Sequence, residues 1–212
     1  MSTYDLEEQE QLAELKAFWK EHGNLIVLAL SAALLVVAGY FAWQRYQGSQ
    51  AGQASAVYSA LQKAAAANDT KQVRDLAGSL VEGYPRSLYA VLGALVSAKV
   101  HFNAGDLKTA RAQLQWVTEN ARDPEVQAIA RLRLASVMLD EKAYDDALKV
   151  LAAKPEPAFE WMFDDLRGDV LAAQGKGGDA RAAYKSAIAN GQLQDDAARE
   201  RIQSKLDALG GG

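Results

Sequence analysis

The chain has 212 residues, half of them apolar, with four Pro and no Cys. That balance suits one domain with a sizeable core plus an anchor, built from helices rather than from a sandwich or disordered chain. The missing Cys excludes disulfides, thiolate chemistry and Cys-type zinc sites. The net charge of −4 sits in residues 1–24, where Asp5, Glu7, Glu8, Glu10, Glu14 and Glu21 outnumber Lys16 and Lys20, while residues 44–212 balance 21 acids against 21 bases. Such an interspersed surface offers no basic stripe for nucleic acid and no polybasic segment for anionic lipid.

Within residues 1–24, Leu12, Leu15, Trp19 and His22 recur at helical spacing. This predicts a short amphipathic helix leading into a membrane, either as a bare interfacial lead-in or as a partner contact. Residues 25–43, LIVLALSAALLVVAGYFAW, hold 19 residues and no charge. As a helix this stretch is about 28 Å long, close to the hydrocarbon thickness of a bilayer. Tyr40 and Trp43 at one end, and Phe18 and Trp19 before the other, are placed as interfacial belts. A cleaved signal would have a shorter apolar region and a nearby small-residue cleavage site. Here the segment before the span is long and acidic, and Ala54-Ser55-Ala56 lies eleven residues past it. Apolarity all the way round suits a membrane span better than a core helix in a chain of this size. The reading is therefore a retained transmembrane helix. Lys16 and Lys20 against Arg45 favour a cytoplasmic N-terminus, by a single charge.

After the span the useful signal is self-similarity. Four segments each follow an apolar helical stretch and open another: residues 68–73, 105–110, 142–147 and 175–180. Their last residues, Val73, Ala110, Ala147 and Ala180, are 37, 37 and 33 apart. A period of this size marks a solenoid of helix pairs. Twelve residues before each of these stand Leu61, Ala98, Ala135 and Gly168, mostly small, as a close helix crossing requires. Four residues after come Ala77, Leu114, Leu151 and Tyr184, mostly large packers. Pro85, Pro124 and the Pro155–Pro157 pair fall at or near the ends of successive repeats, where a helix cannot continue. Asp195 to Leu209 reads as a charged capping helix, and Gly210–Gly212 as a flexible end. The predicted architecture is all-α: a single N-terminal transmembrane helix, then a tetratricopeptide-like α-solenoid of about four helix pairs with a C-terminal cap. Its divisions are 1–24, a short cytoplasmic segment; 25–43, the span; 44–209, repeats and cap; and 210–212, the tail.

The residues that carry chemistry elsewhere are not assembled for it here. His22 and His101 are 79 residues apart, and His101 takes a first-helix position suited to a packing residue. Gly175-Lys176-Gly177-Gly178 follows a helix rather than a strand, so it reads as a repeat turn and not a phosphate loop. Asp164, Asp165 and Asp169, with Arg167 between them, form a solvated or salt-linked stripe, or else a partner-binding charge cluster. No enzymatic function, cofactor or metal is expected.

The segments Glu14-Leu15-Lys16-Ala17-Phe18-Trp19, Leu132-Arg133-Leu134-Ala135, Asp165-Leu166-Arg167-Gly168-Asp169 and Gly178-Asp179-Ala180-Arg181-Ala182-Ala183-Tyr184 resemble the YfgM family of ancillary SecYEG translocon subunits. The order of anchor, repeats and cap is also that family's. The resemblance implies a single-pass bacterial inner-membrane protein with a cytoplasmic N-terminus and a periplasmic repeat domain. It also implies association with the SecYEG translocon and with a membrane-anchored periplasmic chaperone of the prolyl-isomerase type. An accessory or scaffold role follows, holding a chaperone or an emerging secretory protein near the exit site. Two other readings stay open: a membrane-tethered adaptor of another envelope machine, and a regulator whose acidic tail sequesters a cytoplasmic signalling factor. In a tetratricopeptide array the groove is lined by the first helix of each pair. The repeat register turns Leu92, Leu95, Lys99, Phe102, Leu132, Leu139 and Asp140 toward it. That largely apolar stripe is either an open partner-binding site or is covered by the chain itself, by the C-terminal helix or a neighbouring first helix.

Overall fold

The computed structural model describes residues 4–210, with side chains over 11–45 and 48–210. Gly211 and Gly212 of the expected tail lie outside the described residues, as do the side chains of Asp5, Glu7, Glu8 and Glu10. No Pro occurs before residue 85, and the first helix, α1, runs unbroken from Tyr4 to Ala66. The predicted lead-in, the apolar span and the opening of the first repeat are thus one helix. The chain forms two compact units, residues 1–50 and 51–212.

In the first unit Leu25, Leu28, Leu34, Leu35, Val36, Phe41 and Trp43 are exposed. Among the described residues this is the one helix long and apolar enough to cross a membrane. Phe18 stacks on His22 one turn later, their ring centres 4.8 Å apart.

The second unit takes residues 51–66 of α1 and adds α2 (Thr70–Gly83), α3 (Leu88–Asn103), α4 (Leu107–Asn120), α5 (Pro124–Asp140), α6 (Tyr144–Leu151), α7 (Glu160–Ala173), α8 (Gly177–Ala189) and α9 (Asp196–Ala208). A 3-10 turn, Pro157–Phe159, precedes α7. These are four helix pairs and a cap, and all regular structure among the described residues is helical. The second compact unit begins at Ala51, and its first core residue is Ala54.

The four turns within pairs are copies of one another. Asn68, Gly105, Lys142 and Gly175 hold positive φ of 55°, 78°, 59° and 78°. In each, the next N–H reaches back five residues: Asp69 to Ala64, Asp106 to His101, Ala143 to Met138 and Lys176 to Leu171, at 2.8–3.0 Å. This is the Schellman closure, which satisfies the last carbonyls of one helix while the chain reverses. The Asp69 and Asp106 carboxylates then accept the N–H of Gln72 (2.9 Å) and Thr109 (3.1 Å), capping α2 and α4. Only Gly adopts the left-handed region without cost, so Lys142 is the least suited occupant. Lys142→Gly is expected to stabilise the domain by about 0.5–1 kcal/mol once glycine's extra unfolded-state entropy is counted. A urea midpoint that stays put or falls would contradict this.

The repeat register carries over to packing. Leu61, Ala98, Ala135 and Gly168 are buried, as are Val73, Ala110, Ala147 and Ala180, and Ala77, Leu114, Leu151 and Tyr184. The drop of the period from 37 to 33 is spread over three segments. α6 has eight residues where α4 has fourteen, the connection after it runs over 152–159 where the earlier one is 121–123, and α7 has fourteen residues where α5 has seventeen. The core is a chain of overlapping clusters rather than one centre. Leu61, Ala77, Leu80 and Ala90 join α1 to α3; Ala98, Leu114, Leu134, Leu151 and Phe163 join α3 to α7; Tyr184, Leu193, Ile202 and Leu206 bind the cap. Each pair buries its apolar side only against its neighbours, as in solenoids generally.

Candidate partner-binding groove

Two helices build the groove. α2 stops at Gly83, two residues before Pro85, and the Ser87 hydroxyl accepts the Ala90 N–H (3.2 Å) to start α3. Pro124 takes the first turn of α5, where its missing N–H costs nothing, and the Asp123 carboxylate accepts the Glu125 N–H at 2.9 Å. On α3 the small residues Ala90, Gly93, Ala94, Ser97 and Ala98 turn inward and are buried. The approach there is close: a Cβ on Gly93 would lie 2.5 Å from Leu80 Cδ1. This leaves the larger Leu88, Leu92, Leu95, Lys99 and Phe102 along the other side of the same helix.

Between α3 and α5 lies a cavity of about 310 Å³, lined by Leu95, Ala98, Lys99 and Phe102 of α3, Leu114 of α4, and Arg133, Ser136 and Val137 of α5. Of the residues expected at the groove, Leu95, Lys99 and Phe102 come together here. Leu92 is half-buried and Asp140, the last residue of α5, is exposed; neither lines the cavity. Leu132 and Leu139 are partly buried against the central cluster, as is Leu95. The covering of these leucines is thus partial. No lining residue belongs to α9. Ala98 and Leu114 were expected as packing residues rather than at the groove, and Arg133, Ser136 and Val137 were missed altogether. A ladder from residue 133 to 136 and 137 has the spacing that could have shown it.

The remaining polar residues stabilise the array. His101 is 1% exposed, and its Nδ1 sits 3.2 Å from Asp106 Oδ2, which also accepts Arg74 of α2 at 2.5 Å. Burial pushes the His101 pKa below its ordinary 6.5, Arg74 adds to that, and Asp106 opposes it. Hydrogen bonds from Thr109 hold the Asp106 carboxyl below the usual carboxylate range. Because the folded histidine titrates below 6.5, its contribution to stability is complete above that pH. It is lost as pH falls from 6.5 through the lowered folded value. The urea midpoint of the chain should fall between pH 7.5 and 5.5, and His101→Leu should flatten that fall. Equal slopes for parent and variant would remove His101 as the cause.

Asp164, Asp165 and Asp169 are salt-linked. Arg167 pairs with Asp164 and donates to the Leu151 carbonyl at 3.0 Å. Lys205 of α9 donates to Asp165 and Asp169, both at 2.8 Å. Burial raises the Asp165 pKa, against the pull of Lys205. Burial also works against the Lys205 charge, but the two carboxylate hydrogen bonds outweigh it and raise its pKa. Gly175 and Lys176 lie in the turn between α7 and α8, and Gly177 and Gly178 open α8. Among the described residues no three His, Asp or Glu gather as metal ligands would.

Helix pairs closed by one repeated turn and crossing at small residues define a tetratricopeptide-like repeat protein. A family model described as a tetratricopeptide repeat-like domain matches residues 16–211. The chain belongs to the family of ancillary SecYEG translocon subunits. It is 35% identical over 205 residues to the protein of that name from Neisseria gonorrhoeae, covering 96% of this chain and 98% of the relative. It is 27% identical to the one from Haemophilus influenzae over 95% of this chain and 98% of the relative. The one from Escherichia coli K12 is 26% identical, over 95% and 96%. No solved structure matches the chain significantly.

Proposed function

We propose that the chain is a non-enzymatic accessory of the SecYEG translocon, held in the bacterial inner membrane by residues 25–43. Its N-terminal segment is cytoplasmic and its repeat domain periplasmic. There the domain acts as a scaffold for a membrane-anchored chaperone of the prolyl-isomerase type, or for emerging secretory proteins. The observation that carries this reading is the end-to-end match to subunits of that name, over at least 95% of each chain cited. The exposed apolar side of α1 and the cavity between α3 and α5 support it, as an anchor and a binding surface. Anchoring raises the local concentration of the domain at the membrane, which strengthens weak contacts without new ones.

Affinity purification of the full chain from mild detergent tests the reading. Translocon subunits and a chaperone are expected in the eluate. Recovery of other envelope components alone would favour the adaptor reading. A soluble cytoplasmic protein as the sole partner would favour the regulator. External protease on spheroplasts should digest the repeat domain and spare residues 1–20. Protection of the repeats would reverse the topology.

A further inference from the structure

The cavity between α3 and α5 has a charge character that narrows its occupant. Five of its eight lining residues are apolar: Leu95, Ala98, Phe102, Leu114 and Val137. Ser136 spends its hydroxyl on the Leu132 carbonyl at 3.0 Å. The polar groups left to meet a ligand are Lys99 on one wall and Arg133 on the other. Both are exposed and neither makes an ion pair among the described residues, whereas Arg74, Arg111, Arg167 and Lys205 each hold carboxylates. No acid lines the cavity. Phe102, at its mouth, is 39% exposed; it and Leu88 are the large apolar residues so exposed among the described residues of the second unit. Both lie on the outward stripe of α3.

We infer that this cleft binds a partner polypeptide segment in which large apolar side chains alternate with carboxylates, the apolar group filling the cavity and the acids pairing with Lys99 and Arg133. A volume of about 310 Å³ is at the small end of ligand pockets, so it takes one or two side chains rather than a whole helix. Arg133 presents a planar fork that matches a carboxylate with two parallel hydrogen bonds, and Lys99 a point charge. The charges choose among segments more than they add affinity, since exposed pairs are individually weak. A basic or cationic amphipathic segment of equal apolarity is disfavoured by like-charge contact. The inference rests on the scaffold reading and names the chemistry of what the scaffold holds.

The test uses the full chain in nanodiscs of zwitterionic lipid, so that lipid charge does not select the probe. Three labelled peptides share the same Leu and Phe positions; the remaining positions are Asp and Glu, Lys and Arg, or Ser and Gln. Fluorescence anisotropy should show the acidic peptide binding best, with affinity that falls as salt is raised. The cationic peptide should bind roughly ten-fold or more weakly, the sum of several modest pairwise terms. Lys99→Glu with Arg133→Glu should invert the order, and both positions are exposed, so the fold is spared. Phe102→Ala should weaken all three peptides. Equal binding of acidic and cationic peptides, or an order unchanged by the double reversal, overturns the inference. So does acidic-peptide affinity that falls as the chain concentration rises, because a second copy then occupies the cleft. Translocon recovery from the same preparations is read separately. Charge-selective peptide binding without translocon subunits would overturn the accessory reading and leave this one. Translocon recovery without charge selection would do the reverse.

Discussion

Gly168→Ala is expected to destabilise the repeat domain by about 2–3 kcal/mol, the upper part of the range for overpacked cores. A Cβ at Gly168 would stand 2.3 Å from Tyr184 Cε1 and 2.9 Å from its Cζ, so the ring must move. It has nowhere to go. Tyr184 is 3% exposed, and its hydroxyl donates to Asp169 at 2.9 Å. The Lys205 ammonium lies 5.8 Å from the ring centre, and Lys205 is what ties α9 to Asp165 and Asp169. One methyl group therefore strains the α7–α8 crossing and the attachment of the cap together. The melting temperature should drop by roughly 5–10 °C, given the entropy of unfolding of a domain this size. Tyr184→Leu in the same chain should recover part of the loss by vacating the ring's space. A melting temperature unchanged by Gly168→Ala would show that the crossing is looser than its geometry says.

The second large effect is at the groove. Leu95→Asp with Leu132→Asp should cost the domain about 3 kcal/mol, because each replaces partly buried apolar packing with a carboxylate that loses solvation there. Both leucines pack against the central cluster that includes Ala98, Leu134 and Phe163. Phe102→Asp, at an exposed position, should change stability by no more than about 0.5 kcal/mol. The contrast separates the part of the predicted stripe that the chain covers from the part it leaves open. A double variant that melts with the parent would mean that Leu95 and Leu132 are free surface.

The repeat register was legible because sterics at a helix crossing act on particular positions. Ala98, Ala135 and Gly168 are small where two backbones approach, and they recur with Ala110, Ala147 and Ala180 at a fixed offset. The turns were legible for a similar reason, since Gly105 and Gly175 take a conformation that other residues avoid. The groove was legible only in part. Apolar residues lie almost all round α3 and α5, as they do on helices packed on several sides, so periodicity does not single out one direction. Neighbouring positions such as Leu132 and Arg133 point about 100° apart, and the choice between them set whether the groove carried Arg133 or Asp140. The continuity of α1 was hidden by hydropathy, which changes at Trp43 although nothing there stops a helix. The Lys205 links to Asp165 and Asp169 span 40 and 36 residues, beyond the reach of spacing within one helix.

The brevity of α6 has a consequence for how the array opens. A second helix of eight residues offers its neighbours little more than two turns, where α2 and α4 offer nearly four. In a quasi-linear array cooperativity is handed on from pair to pair, so the shortest element is where that transmission is weakest. Native-state hydrogen exchange should then divide the domain into two protection classes, with α7, α8 and α9 exchanging together in a lower-energy opening while α2 to α5 stay closed.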